Sequence, residues 1–120
     1  MAYEPYSAIY LARRKTTELK IGETKDPRRR EYQISCQYGY VFDQIFDVEQ
    51  RKTTVAQDES IRKFIEAGLR VILDFAPTVH RVGNDFFDCD SVAESQYIQD
   101  NFEDWVDTLE KVAKKLSKIY

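Results

Sequence analysis

Histidine and cysteine are scarce in this sequence, and their scarcity excludes several kinds of site. The chain has one histidine, His80, and two cysteines, Cys36 and Cys89, which do not form a Cys-x-x-Cys pair. A zinc site needs several such ligands at short spacing, and a secreted disulfide scaffold needs more cysteines. We therefore expect two reduced thiols, and any bound metal to be a hard ion with oxygen ligands.

Long hydrophobic runs are also missing. The apolar stretches are only a few residues long, such as Val71-Ile72-Leu73, and residues 1–6 have no signal-peptide core, so we expect no membrane segment. The 120 residues are 42% hydrophobic and 32% charged, which is typical of a folded globular chain. We expect one domain, 1–120, located in the cytoplasm.

The net charge of -3 argues against a general nucleic-acid coat protein, because affinity for phosphate backbones rises with the number of basic contacts. The charge is unevenly distributed along the chain. Residues 1–63 hold twelve Lys and Arg against ten Asp and Glu, whereas residues 64–120 hold six against eleven. Any binding of phosphate is therefore expected in the first half.

The first half has the pattern of a small sheet followed by a helix. Alternating apolar residues predict strands over 7–13 and 19–23, which a short polar turn joins as a hairpin. Asp26 followed by Pro27 is a typical helix start, so a helix should begin there and run through 28–34. Gly39 should end it before a third strand over 41–47.

The second half has the pattern of two helices separated by a hairpin. A helix is predicted from residue 53 or 54, with Gly68 ending it early, and 78–82 with 86–89 form an outer hairpin around a Gly-Asn-Asp turn. Ser91 and Glu94 make a capping box, after which apolar residues recur at helical spacing to the end of the chain.

The long C-terminal pattern is either one amphipathic helix or two helices joined near Asn101. Its apolar stripe is wider than a heptad seam, which favours a lid on the sheet over a coiled coil, with a homodimer through this helix as the other reading. The fold class predicted from these elements is α+β, with a small antiparallel three-stranded sheet flanked by helices, an outer hairpin and a long C-terminal helix.

Three side chains in the first half carry groups suited to attack on a phosphate. Tyr10 offers a phenol, Lys20 an ammonium and Arg30 a planar guanidinium. Such groups activate a nucleophile and stabilise charge that builds on phosphoryl oxygens. A phenol acts as a base at neutral pH only where a cation or metal stabilises it, which gives Lys20 a natural task.

The order of these residues resembles the GIY-YIG nuclease superfamily over about residues 7–90. The matching motifs are Ala8-Ile9-Tyr10, then Lys20-Ile21-Gly22, then Arg30 eight residues after that glycine, and Glu59 in the following helix. The chain is most similar to the phage and mobile-element branch, whose second motif reads Lys-Ile-Gly and continues into a Thr-x-Asp-Pro-x-Arg-Arg run, here Thr24, Asp26, Pro27, Arg29 and Arg30.

The resemblance implies hydrolysis of a DNA phosphodiester bond with one Mg2+ or Mn2+ ion held by Glu59. In that scheme Tyr10 positions or deprotonates the attacking water, Lys20 acts electrostatically, and Arg30 stabilises the transition state. A hard cation that takes one carboxylate and completes its shell with water and phosphate oxygens is consistent with these roles. DNA is the implied partner, and its backbone is expected to contact Lys25, Arg28 and Arg29.

Two positions differ from the pattern of active nucleases in this superfamily. Lys20 stands where a tyrosine is common, and Ile34 stands four residues after Arg30, where active members often have histidine or tyrosine. The alternative is therefore a nuclease-fold protein without catalysis that binds DNA or a protein partner in phage and host conflict. Asp58, beside Glu59, is a rival metal ligand. The third hypothesis for the function of the chain is a purely structural dimerisation module.

Overall fold

A computed structural model of the chain describes residues 5–47 and 55–119. The helix start expected at residue 53 or 54 lies outside these ranges. None of the helices within them has both the length and the apolar composition needed to span a membrane. The described elements, which confirm an α+β fold, are β1 (Ala8–Arg14), β2 (Glu18–Thr24), α1 (Pro27–Tyr38), β3 (Val41–Asp47), α2 (Val55–Phe75), β4 (Val79–Arg81), β5 (Phe86–Cys89) and α3 (Val92–Ile119).

The strands of the described residues form one antiparallel five-stranded sheet in the order β3-β1-β2-β5-β4. The expectation of a three-stranded sheet with a separate outer hairpin is therefore wrong. β5 pairs with the free edge of β2, with Leu19 opposite Phe87 and Lys20 opposite Phe86. An uncovered strand edge leaves backbone donors and acceptors unpaired, and the hairpin satisfies them here.

Helices cover both faces of the sheet, so the domain has three layers. Alternate residues of β1 point to opposite faces. Ala8, Tyr10 and Ala12 point towards α1, where Tyr10 and Ala12 form a small cluster with Ile34 and Tyr40. The other face of the sheet packs on α2 and α3 in the main core, whose buried members include Ile9, Leu11, Leu19, Ile21, Ile65, Leu69, Phe87, Ile98, Phe102 and Val106.

The ends of α1 are set by local chemistry, as the sequence predicts. The Asp26 carboxylate accepts a hydrogen bond from the Arg29 backbone N–H at 3.2 Å, and Pro27 takes the first helical position. Gly39 then adopts a left-handed conformation with φ 75°, and its N–H donates to the Ser35 carbonyl. These caps fix where the arginines of α1 begin relative to the sheet.

The C-terminal pattern is one unbroken helix, α3, rather than two helices joined near Asn101. Its start is the expected one, because the Ser91 hydroxyl accepts a hydrogen bond from the Glu94 backbone N–H at 3.2 Å. The helix lies on the sheet together with α2 through buried residues such as Phe102 and Val106. Packing on the sheet agrees with the predicted lid.

The two cysteines are free thiols in different surroundings, which agrees with the expectation of reduced cysteines. Cys36 is exposed on α1, whereas Cys89 is buried in the main core. Burial, followed by the nearby carboxylates of α3 and β5, raises the pKa of the Cys89 thiol to about 11. Cys89 is therefore held as a neutral thiol and acts as a small apolar residue.

Gly68 does not end α2, contrary to expectation, because the helix continues to Phe75. The glycine lies where α2 meets α3, and a Cβ at this position would overlap the methyl groups of Leu109. Glycine inside a helix costs about 1 kcal/mol relative to alanine. Here that cost is offset by the close approach of the two helices, which the sequence pattern of α2 alone does not reveal.

Replacing Gly68 by valine should lower the free energy of unfolding by about 1–3 kcal/mol, because the branched side chain would displace the Leu109 side chain that packs there. Urea denaturation followed by circular dichroism measures the change. Ala67→Val, at the neighbouring exposed position, is the control and should cost about 0.5 kcal/mol or less. Leu109→Ala should cost less in the Gly68→Val background than in the wild type; equal costs would contradict the close-packing role.

Candidate active site

Tyr10 is the centre of the polar cluster on the α1 side of the sheet. It lies in the middle of β1, directly opposite Gly22 of β2. A Cβ at position 22 would overlap the Tyr10 phenol, so the ring can lie across β2 only because residue 22 is glycine. The ring also stacks on Phe42 of β3, with 4.6 Å between the ring centroids. The side chain is thereby held from both neighbouring strands.

Arg30 meets Tyr10 from the first turns of α1. Its Nε donates a hydrogen bond to the Tyr10 phenolic oxygen at 3.2 Å, and its Nη1 donates to Gln33 Oε1 at 3.4 Å. The neighbouring Glu31 fastens the helix to the sheet, because its carboxylate accepts from the Phe42 backbone N–H at 2.8 Å. The phenolic oxygen is the acceptor in this bond, so its own O–H hydrogen takes no part in it.

Lys20 completes a group of three on this face. Its side chain is only 2% exposed, and its Nζ lies 5.5 Å from the ring centroid of Tyr10 and 5.0 Å from that of Phe86. An ammonium over aromatic rings is stabilised by their negative faces. The structure therefore brings together three of the predicted catalytic side chains, Tyr10, Lys20 and Arg30, and buries Tyr10 to 1% exposure.

Asp85, which the sequence suggests only as a turn residue, is a structural part of this cluster. Its Oδ2 lies 3.8 Å from Lys20 Nζ, and its Oδ1 accepts a hydrogen bond from Arg70 Nε at 2.7 Å. Arg70 also pairs with Glu66 within α2. A buried ammonium needs a counter-ion, and this need is the signal that could have indicated such a partner. Which residue supplies the counter-ion follows only from the pairing of β5 with β2.

Arg62 is a second charged residue that sequence reasoning did not single out. It is buried on α2, where its Nε donates to Glu23 Oε2 at 2.8 Å and its Nη1 donates to the Ser7 hydroxyl. Among the described residues its Nη2 has no hydrogen-bond partner. The Arg62 and Glu23 pair fastens the start of α2 to the end of β2, which places Glu59 one turn away.

Glu59 lies on α2, which packs on the other face of the sheet from Tyr10. Its side chain is 41% exposed, and its Oε1 lies 3.2 Å from Lys63 Nζ. The hydrogen bond and charge of Lys63, with the charges of Lys25 and Arg62, hold the pKa of Glu59 below its ordinary value. Within the described residues no hydrogen bond or ion pair joins Glu59 to the other three side chains, so their convergence on one phosphate stays a prediction.

The donor set around Glu59 fits a divalent ion only together with phosphate. In the described part of the chain no three His, Cys, Asp or Glu residues are grouped to hold a metal, and the side chain of the rival ligand Asp58 lies outside that part. Mg2+ can use one carboxylate when waters and phosphate oxygens complete its shell. The charges of Lys63 and Lys25 disfavour a bare cation at Glu59 and favour one that arrives with an anionic substrate.

The predicted DNA contacts lie beside the cluster. Lys25 lies in the loop after β2, and Arg28 and Arg29 follow in the first turn of α1; all three are exposed. The N-terminus of a helix carries a partial positive charge that favours anions. This end of the domain therefore presents a positive surface next to the half-buried guanidinium of Arg30.

Ile34, four residues after Arg30, points into the small core. It is fully buried and packs in the cluster with Tyr10 and Tyr40. The position four residues after Arg30 is therefore used here for packing. Ile34 therefore offers no polar group to a substrate.

A function for this chain is inferred from the geometry of its own residues. Comparisons with protein-family models, with curated proteins and with solved structures give no match. The membership in the GIY-YIG superfamily that the motifs suggest therefore stays a prediction. The geometry of Tyr10, Lys20 and Arg30 is the observation from which a function can be proposed.

Replacing Asp85 by asparagine should lower the free energy of unfolding by about 1–3 kcal/mol, because it leaves the buried Lys20 ammonium without its counter-charge. Urea denaturation measures the loss. Asp74→Asn, which removes an exposed pair with Arg81, is the control and should change stability by about 0.5 kcal/mol or less. Lys20→Met should restore stability in the Asp85→Asn background; a further loss there would show that the buried charge is not the cause.

Proposed function

We propose that this chain is a metal-dependent DNA endonuclease of the GIY-YIG type that hydrolyses phosphodiester bonds in the cytoplasm, in phage or mobile-element biology. The observation that supports it best is the hydrogen bond of Arg30 to the Tyr10 phenol, with the Lys20 ammonium beside the same ring. A guanidinium donor, a phenol and a buried cation are groups that assist hydrolysis of a phosphodiester bond. Packing alone does not require a guanidinium on a core tyrosine.

In this proposal the DNA backbone approaches the N-terminus of α1. Lys25, Arg28 and Arg29 neutralise backbone phosphates, and Arg30 binds the oxygens of the scissile phosphate, where charge grows in the transition state. Because Tyr10 is 1% exposed, a phosphate reaches the phenol only when Arg30 moves from the phenolic oxygen to the substrate. That exchange exposes the phenol to the attacking water, which the phenolic oxygen positions with a hydrogen bond.

Glu59 is the residue that would hold Mg2+ or Mn2+. The ion, when bound with substrate, supplies positive charge to the phosphate and lowers the pKa of a coordinated water. Ionised Glu59 suits this task, since its cationic neighbours keep its pKa low. Lys20, held by Asp85, keeps a positive charge beside the Tyr10 ring, where it acts electrostatically on the negative charge that grows in the transition state.

A protein of the same fold that binds DNA without cutting it is the second candidate. It is favoured by the burial of Tyr10 and Lys20 and by Ile34, which fills a position that is often polar in active nucleases. The exposed basic residues at the start of α1 would then be the functional surface, and the buried cluster would only hold α1 on the sheet. The two candidates differ in whether a phosphodiester bond is broken.

Arg30→Ala and Glu59→Ala should each reduce DNA cleavage by at least about 100-fold, because each removes a group that stabilises the transition state. Nicking of supercoiled plasmid, and cutting of branched and single-stranded DNA, with Mg2+ or Mn2+ measure the rate. Arg81→Ala and Glu103→Ala, which change exposed residues elsewhere, are the matched controls. Variants that cut like the wild type would refute the residue assignment. A wild type that cuts none of these substrates would favour the second candidate.

Replacing Lys25, Arg28 and Arg29 by glutamine should weaken DNA binding and flatten its salt dependence. Each lost phosphate contact should reduce the slope of log K against log salt by about 0.9. Fluorescence anisotropy of labelled duplex DNA over a salt series measures the slope. A triple replacement of Arg81, Lys111 and Lys115 removes the same charge elsewhere and should leave the slope unchanged. No binding by the wild type at low salt, together with a concentration-dependent mass, would instead support the dimerisation module.

A further inference from the structure

An apolar groove lies on the side of the domain away from α1, between the end of α2, β4 and α3. Its volume is about 400 Å³, which is within the range of ligand-binding clefts. Buried side chains of Leu73, Val79 and Ile98 are part of its lining, as are Phe75 and Trp105. The groove is thus continuous with the main core, and it is separate from the Tyr10 cluster across the sheet.

Large aromatic side chains at the groove are left open to solvent. Phe75 is 84% exposed and Tyr97 is 61% exposed, and the Tyr97 ring lies at the edge of Trp105 with 6.2 Å between centroids. Val71, one turn before Phe75 on α2, is exposed as well. Aromatic residues beside an apolar groove are typical anchors of protein interfaces.

The α3 side of the groove is strongly acidic. Residues 90–110 contain seven Asp and Glu and no Lys or Arg. Glu94 contributes to the groove lining, and Asp100 and Asp104 follow Tyr97 at the three- and seven-residue spacing that places them on the same side of the helix. The groove is therefore bordered by negative charge that a ligand entering it must meet.

We propose that this groove binds a basic amphipathic helical segment of a partner protein, beyond the nuclease function proposed above. Apolar side chains at helical spacing would fill the groove beside Phe75 and Trp105, and Lys or Arg side chains would pair with the acidic border of α3. A second copy of this chain that approached through the same groove would bring the same acidic surface and be repelled, and so would DNA. Charge complementarity thus selects a basic partner.

Trp105 provides a direct probe, because it is the only tryptophan of the chain and it lines the groove. The ligand for the test is a synthetic peptide of about 18 residues, roughly five helical turns, made of Leu and Lys at amphipathic spacing without aromatic residues. Titration should shift the Trp105 emission to shorter wavelength and saturate, and the affinity should fall as salt is raised.

Phe75→Ala should weaken peptide binding by at least about tenfold, because Phe75 is the most exposed anchor of the groove. Tyr32→Ala removes another exposed aromatic side chain, on α1 at the opposite face, and should leave the affinity unchanged. Asp100→Asn combined with Asp104→Asn should weaken binding and reduce its salt dependence. All three variants change exposed residues, and circular dichroism checks that they remain folded.

The control peptides are a scrambled version without helical spacing and a version with Glu in place of Lys; both should fail to shift the emission. Equal binding of the scrambled or acidic peptide would overturn the proposal, and so would an unchanged affinity of Phe75→Ala. A shift of Trp105 emission with protein concentration alone, with a doubled mass in sedimentation, would overturn it in favour of a second copy. None of these readouts depends on DNA cleavage, so the nuclease proposal stands or fails separately.

Discussion

The pairing of Tyr10 with Gly22 across β1 and β2 is the constraint on which the polar cluster depends. In this register the phenol lies over a residue without a side chain, where a Cβ would overlap it. A shift of one residue would turn Tyr10 into the main core and bring Ile9 under α1. The same register puts Lys20 on the face of Tyr10, so one alignment of two strands positions both groups for Arg30.

The cluster combines burial with charge in a way that a small domain can support. Lys20 is nearly inaccessible, yet its ammonium meets two aromatic rings and the carboxylate of Asp85. Asp85 is shared with Arg70 of α2, so the hairpin that carries it links β2 to α2 through ionic contacts. Joining β5 to β2 therefore does more than extend the sheet, because it brings the counter-ion of the buried cation.

The two sides of the sheet differ in charge and in chemistry. The α1 side carries the exposed cations at 25, 28 and 29 beside Arg30, which suits an anionic ligand. The α3 side carries the acidic residues of 90–110 beside an apolar groove. This combination suits a ligand that has both basic and apolar side chains. With a net charge of only -3, the chain separates opposite charges in space, so two different ligands can be attracted to different faces.

Much of the fold follows from local patterns that extend over only a few residues. They are the alternation of apolar residues in the strands, the start of α1 at Asp26-Pro27, its end at Gly39, and the capping box at Ser91. Gly68 shows where such reading is wrong, because its role is set by Leu109 of another helix. That α2, which carries Glu59, packs on the face of the sheet opposite Tyr10 was equally hidden, because spacing along the chain does not say which face of a sheet a later helix covers.

The sequence by itself determined the types of element, their order, the uneven charge and the identity of the phenol, lysine and arginine that meet at the first helix. Only the tertiary structure decided that the outer hairpin extends the sheet, that Asp85 neutralises Lys20, and that α2 lies opposite α1. The reason is physical: periodicity and caps act between neighbours in sequence, whereas a strand edge and a buried charge are satisfied by whichever distant segment packs against them.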